Sequence, residues 1–309
     1  MPQELRIVFM GTPDFAVPTL QILVENGYNV VAVITAPDKP AGRGQKLHQS
    51  PVKEYAVSQQ IPVLQPTNLK AESFLEELRS YKANLQIIVA FRMLPEVVWS
   101  MPELGSFNIH GSLLPQYRGA APINWAIING EKETGVTSFF LKHEIDTGDM
   151  LFQEKLPILE EDDFGSVYEK LKHEGAKLAL KTVRAIEQGP VEAQPQQHAD
   201  GHKHAPKIFK ETCEINWNQP AVQVRNFIRG LSPYPAAWTR LQGKTFKIFK
   251  TEVLSGTAEG LEPGQIKTDN KTYLHVQTAD NMLAIHDLQM EGKKRMQLSD
   301  FLRGFNFTI

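Results

Sequence analysis

Short apolar runs and stripes of helical period take turns through the first 189 residues, and beyond residue 206 the runs become short and β-type. Leu5 to Met10, Asn29 to Thr35, Ile61 to Leu64, Leu85 to Phe91, Ser106 to His110, Gly135 to Leu141 and Met150 to Pro157 read as strands. Between them the spacing predicts helices from Thr12 to about Glu25, from Ser50 to about Gln60, from Asn68 to Tyr81, from Pro122 to Asn129 and from Asp163 to Gln188. Thr12 is the expected N-cap of the first, with Pro13 at its first helical position, and Ser50 caps the second. Strands alternating with helices imply a twisted, mostly parallel α/β sheet. The apolar run from Leu85 to Phe91 suits its centre, where both faces are covered.

From Pro190 to Pro206 the composition shifts to Pro, Gln and His, which reads as a linker. After it come a helix from Val222 to Arg229 and β-type runs at 237–241, 245–253, 264–267, 273–278, 282–288 and 295–297, then a closing helix from Ser299 to Phe305. So many short strands in so few residues predict a small OB-like β-barrel. The expected organisation is an α/β catalytic domain over residues 1–189, a linker over 190–206 and the barrel over 207–309.

Composition narrows this picture without changing it. Hydrophobic residues at 41% and charged residues at 22% are ordinary for a soluble globular chain. No apolar run approaches the ~18 residues of a membrane span, and Met1 to Arg6 leads straight into a strand with no leader-like stretch. Cys213 is the single cysteine, which excludes an internal disulfide and fits a reducing cytoplasm. The formal charge of −2 hides an asymmetry: residues 207–309 carry fourteen Lys and Arg against ten Asp and Glu. That excess is too small to establish nucleic-acid binding by itself. His198, His202 and His204 cluster in the linker, but no Cys or carboxylate set completes a metal site, and none is expected.

The candidate chemistry sits between Phe107 and Met150. On the strand from Ser106 to His110, Phe107 and Ile109 share one face, and Asn108 and His110 the other. Gly111 ends the strand, and a loop follows from Ser112 to Gly119. Further on, His143 to Asp149 forms an acidic turn that carries Asp146. An amide, an imidazole and a carboxylate are what an acyl transfer needs: an oxyanion donor, a proton-handling ring and a group that orients it. Taken singly, each has a structural reading, as a satisfied strand-end histidine or a capping Asp. The first strand–turn–helix lacks the G-x-G-x-x-G spacing, so a dinucleotide site is not supported.

Two regions are basic. The loop from Ala36 to Leu47, with Lys39, Arg43 and Lys46, is either a solvated excursion or a flexible arm that meets phosphates. Mobility is expected for residues 38–46 without RNA. The barrel carries Arg225, Arg229, Lys244, Lys247, Lys250, Lys293, Lys294 and Arg295, which at its rim would follow a phosphate backbone or serve as ordinary surface charge.

Asn108 and His110, then Ser112-Leu113-Leu114-Pro115, then Arg118-Gly119-Ala120 with Pro122, then Asp146-Thr147-Gly148 together resemble the folate-dependent formyltransferases. The resemblance implies 10-formyltetrahydrofolate as co-substrate, no metal, and Asn108, His110 and Asp146 as catalytic residues. Asn108 would donate to the oxyanion, His110 would donate to the same oxygen and handle protons, and Asp146 would pair with His110. It implies a folate pocket lined by Arg92, Met93, Leu94, Ser112, Leu113, Leu114 and Pro115. The basic loop, the C-terminal barrel and Leu231 to Ala237 are similar to the branch of the family that formylates methionyl-tRNA. That implies initiator methionyl-tRNA as partner, Lys39, Arg43, Lys46, Lys244 and Lys247 as tRNA contacts, and a cytoplasmic monomer. A small amine acceptor such as an amino sugar nucleotide is the alternative within the same chemistry, and a non-catalytic RNA-binding protein the alternative outside it. The basic regions weigh against the first and the complete set of three polar groups against the second.

Overall fold

A computed structural model describes residues 4–41, 46–197, 201–256 and 260–308. The chain divides into two compact units. The first takes Met1–Gly119, Thr134–Leu156 and Tyr168–Lys203, and the second Ala120–Glu133, Pro157–Val167 and His204–Ile309.

The first unit is built on seven strands: β1 (Arg6–Gly11), β2 (Asn29–Ile34), β3 (Val63–Leu64), β4 (Leu85–Val89), β5 (Ser106–His110), β6 (Glu133–Phe140) and β7 (Met150–Pro157). Their order is β7-β6-β5-β4-β1-β2-β3. Pairings β1–β2, β1–β4, β2–β3 and β4–β5 are parallel, while β5–β6 is antiparallel. The α/β expectation holds, with β4 in the interior as its apolar run requires: all five of its residues are buried. Chain order runs outward in both directions from β1, so the carboxyl ends of β1, β4 and β5 border the crevice where open α/β sheets hold their ligands. Because β5 has an antiparallel neighbour, Asn108 lies opposite Phe139 and His110 opposite Thr137.

Helices α1 (Val17–Glu25), α2 (Pro51–Ser58), α3 (Glu72–Ser80) and α5 (Phe164–Gln188) serve this sheet, and α4 (Pro122–Ile128) belongs to the second unit. Ser50 caps α2 as expected, its hydroxyl accepting from the Lys53 N–H at 3.1 Å. Thr12 caps nothing: a 3-10 turn over Asp14–Ala16 precedes α1, whose N-cap is Ala16. Pro18 explains the displacement, because in a helix continuous from Thr12 its ring would meet the Asp14 carbonyl. Likewise α3 starts four residues later than its periodicity suggests. The Asn68 side chain accepts from the Lys70 N–H at 2.9 Å, closing a local turn that competes with helix.

The basic loop is partly ordered by pairing. Lys39–Ala41 and Lys46–His48 form an antiparallel hairpin in register Lys39↔His48, and Lys39 is exposed. Arg43 lies outside the described residues, as do the rest of residues 42–45 of the segment expected to be mobile. At the hairpin's base Lys53 Nζ donates to Asp38 at 2.6 Å and to Gln65 at 2.8 Å, and Gln65 Nε2 returns to Asp38 at 2.7 Å. These bonds hold the Asp38 carboxyl below its ordinary range.

In the second unit, β8 (Ala237–Leu241), β9 (Lys244–Leu254), β10 (Ile266–Thr268), β11 (Leu274–Gln277) and β12 (Met282–Met290) run in the order β8-β9-β12-β11-β10, all antiparallel, and β13 (Met296–Gln297) pairs with β12. The sheet curls into a half-barrel, in keeping with the small barrel expected. Helix α6 (Ala221–Leu231) turns Ala221, Val224, Ile228 and Leu231 into its core at helical spacing. Phe246 lies within 6.2 Å of Phe301, Phe305 and Phe307, ring to ring.

Two barrel arginines are not free for phosphate. Arg229 is buried, bonding Asn226 at 2.8 Å and the carbonyls of Leu159 and Asp162 at 3.0 and 2.9 Å; burial pushes its pKa down. Arg295 forks onto the buried Asp287 at 2.7–3.0 Å and stacks on Phe249. Charge counted along the sequence did not distinguish these structural cations from surface ones.

Candidate functional site

Strand β5 delivers the first two site groups. Phe107 and Ile109 are 0% and 3% exposed, and the opposite pleat carries Asn108, half-buried, and His110, buried. The acidic turn after β6 delivers the third. There Asp146 adopts a left-handed backbone, φ +56°, which a non-glycine residue holds only when its surroundings impose it. Gly148, two residues on, cannot be replaced: a Cβ there would fall 1.5 Å from the Phe140 carbonyl oxygen.

Of the three predicted groups, His110 and Asp146 face each other, and Asn108 lies two residues before His110 on β5. His110 Nδ1 lies 3.9 Å from Asp146 Oδ2, with only 7% and 12% of the two side chains exposed. His110 Nε2 donates to the Tyr117 carbonyl at 2.9 Å, because a carbonyl can only accept. In the neutral ring Nδ1 is then an acceptor facing a carboxylate. A separation of 3.9 Å is too wide for a direct hydrogen bond, yet it leaves room beside the line for a donor shared by both. Asp146 Oδ2 also accepts the Gly119 N–H at 3.0 Å. The one N–H of the neutral ring is therefore engaged by Tyr117, whereas His110 was expected to donate to the oxyanion.

Asn108 has one buried carboxamide atom, Oδ1, with no protein partner among the described residues. A buried polar atom without a partner, two residues before His110 on the same strand, leaves hydrogen-bonding capacity unused, and a flip of the amide presents Nδ2 at the same spot.

The loop after β5 is fixed by its hydrogen bonds. Thr137 Oγ1 donates to the Ser112 carbonyl at 2.7 Å and accepts from the Leu114 N–H at 3.1 Å, and Gln153 Nε2 spans Thr137 and the Leu114 carbonyl. Ser112 is fully buried with its hydroxyl on the Gln116 carbonyl at 2.6 Å. Leu114 is buried; Leu113 and Pro115 are half-buried, and a Cβ at Gly135 would meet Leu113 at 2.5 Å. In the loop after β4, Met93 is 71% exposed and Leu94 half-buried. The Arg92 guanidinium is turned onto the carbonyls of Pro66 and Thr67, which line a cleft of about 340 Å³ over Leu64 and Phe74.

Lys244 is exposed over the Phe305 ring at 5.2 Å, while Lys247, on the opposite pleat of β9, is half-buried. Lys46 opens the second hairpin strand. Among the described residues no group of three His, Cys, Asp or Glu is placed to hold a metal ion, and His198 lies outside them. Likewise no described helix is long and apolar enough to cross a membrane.

Sequence reasoning missed four contributors: Tyr117, Gly119, Thr137 and Gln196. Tyr117 and Gly119 act through the backbone, so their side chains give no signal. Thr137 is visible only through register, opposite His110 on β6. Gln196 lies in the stretch read as a linker.

The family model for formyl transferase matches residues 5–183, and that for the formyl transferase C-terminal domain matches residues 207–306. The methionyl-tRNA formyltransferase of Bacteroides fragilis is 57% identical over 314 residues, covering 99% of this chain and 97% of the relative. Among solved structures, an N-formyltransferase from Helicobacter canadensis in complex with folinic acid and dTDP-3-aminofucose aligns with TM-score 0.67 at 19% identity, covering 94% of this chain and all of that one. The methionyl-tRNA formyltransferase from Clostridium thermocellum aligns with TM-score 0.57 at 14% identity, over 93% of this chain and 98% of that one. At such identities these two likenesses show the fold.

Proposed function

We propose that this chain, which belongs to the formyl transferase family along both its catalytic and its C-terminal parts, transfers the formyl group of 10-formyltetrahydrofolate to the α-amino group of initiator methionyl-tRNA. The observation that carries the reading is the unpartnered Asn108 Oδ1 on the strand that carries His110, with Asp146 facing that imidazole, in a chain 57% identical over its length to a methionyl-tRNA formyltransferase.

In the reaction the amine nitrogen bonds to the formyl carbon, and the bond from that carbon to N10 of the folate breaks. A proton leaves the amine and another reaches N10. Asn108 stabilises the formyl oxygen as negative charge develops there; removing such a donor typically costs roughly 3 kcal/mol of barrier. Tyr117 holds the imidazole with its proton on Nε2, which leaves Nδ1 and the Asp146 carboxylate as neighbouring acceptors for an amine proton or a bridging water. The proton passes through this pair to N10. The stiffened Ser112–Pro115 loop forms one wall of the folate pocket, and Arg92, Met93 and Leu94 form another. Met93 is exposed enough to cover a ring, whereas Arg92 contributes by holding its loop to Pro66 and Thr67. For tRNA, Lys39 and Lys46 on the hairpin strands, together with Arg43, and Lys244 and Lys247 on β9 meet the phosphates, and the protein acts as a monomer.

The test follows product formation. Purified protein with 10-formyltetrahydrofolate should release tetrahydrofolate in proportion to formylmethionyl-tRNA made, and only when methionyl-tRNA is present. Release at equal rate without an amine acceptor would identify a hydrolase instead.

A further inference from the structure

Gln196 is nearly fully buried, 6% exposed, and every hydrogen-bonding site of its carboxamide is used. Nε2 donates to the Asp146 carbonyl and to the Gly148 carbonyl, each at 2.8 Å. Oε1 accepts from Arg118 Nε at 3.0 Å and Nη2 at 2.5 Å. The residue is brought there by a two-bond bridge: Gln194 and Met150 exchange N–H···O bonds of 2.8 Å, which lays the segment against the chain leaving the acidic turn.

These contacts close a ring around the proton-handling pair. The Tyr117 carbonyl accepts the His110 Nε2–H hydrogen bond, the Gly119 N–H donates to the Asp146 carboxylate, and Arg118 between them grips Gln196, which grips the backbone on both sides of Thr147. The residues just before Asp146, from Lys142 to Ile145, are exposed, and their contacts are at the surface: Lys142 with Asp149 at 2.7 Å, His143 with Glu96 at 3.1 Å and the Glu144 carbonyl with the Thr147 hydroxyl at 3.0 Å. Gln196 grips the turn's backbone from the buried side. We infer that Gln196 is a positioning residue that sets the Asp146 carboxylate opposite His110, acting through the Asp146 and Gly148 carbonyls. The inference rests on the function proposed above.

A carboxamide suits this place better than its neighbours in chemistry. Glutamate would keep the Arg118 contact but turn acceptors onto two carbonyls. Methionine would keep the length and lose all four bonds.

The experiment is a double-mutant cycle on the full-length protein, read by formyl transfer to methionyl-tRNA. Gln196→Met should lower kcat by about tenfold or more with both KM values within about threefold, and in the Asp146→Asn background it should cost less than about twofold. Gln196→Glu should lose as much as Gln196→Met, although it retains the Arg118 partner. Amide exchange supplies a readout independent of activity: the Gly119 N–H, bonded to the Asp146 carboxylate, should exchange faster in both variants while the β4 amides stay protected. Unchanged kcat, equal losses in both backgrounds, or unaltered Gly119 protection would overturn the assignment. A wild-type protein that transfers no formyl group would sink the proposed function alone, with Gly119 exchange still deciding what Gln196 holds.

Discussion

Asn108 makes the sharpest demand at the scale of single residues. Asn108→Ala should reduce kcat by about 10²–10³ in steady-state assays, with folate KM little changed, because the amide acts on charge that exists only in the transition state. A loss confined to KM would assign it to ground-state binding. His110→Ala should lower kcat by about 10²–10⁴ while folate binding, followed by fluorescence titration, stays near the wild-type value. Both residues were legible because alternation on one short strand separates Phe107 and Ile109 from Asn108 and His110. Asp146 was legible as a carboxylate in a glycine-bounded turn. Gln196 was not: a glutamine among Pro, Gln and His has no period, and its partners lie some fifty and eighty residues away in sequence.

Between elements, the close approach of α4 and α6 hangs on Gly230. A Cβ there would fall 2.6 Å from the Ile128 side chain and 3.1 Å from the Asn124 carbonyl, while Asn124 Nδ2 donates to the Gly230 carbonyl at 2.8 Å. Gly230→Ala should therefore destabilise the protein by about 1–3 kcal/mol in urea unfolding, although alanine is the better helix former. The hairpin base gives a pH prediction. The hydrogen bonds from Lys53 and Gln65 lower the folded-state pKa of Asp38 below its unfolded value. Its stabilisation is present above the ordinary carboxylate range and lost as pH falls through the folded value. Thermal unfolding followed against pH should show a shallower acid limb in Asp38→Asn; an identical limb would mean the strut contributes nothing. Elements themselves were legible wherever one face is buried, since burial enforces the period. Their starts were not, where Pro18 and the Asn68 turn override periodicity with local sterics and hydrogen bonding.

For the molecule as a whole, the alternation of strands and helices implied a parallel sheet, but not that β5 would run antiparallel to β6. That pairing depends on contacts distant in sequence, and it is what sets His110 opposite Thr137. The modest basic excess of residues 207–309 is shared between structural ion pairs and exposed lysines such as Lys244. Methionyl-tRNA affinity should fall with added salt, and Lys244→Ala should reduce the slope of log K against log[salt] by about one if that side chain meets a phosphate. The most direct measurement of the central claim is a competition for one formyl group. Wild-type protein and His110→Ala would be given 10-formyltetrahydrofolate with initiator methionyl-tRNA, elongator methionyl-tRNA, free methionine and an amino sugar nucleotide together. The account predicts that label from the formyl group appears on initiator methionyl-tRNA with the wild type and is nearly abolished by His110→Ala. Label on the sugar amine, or undiminished transfer by the variant, would contradict it.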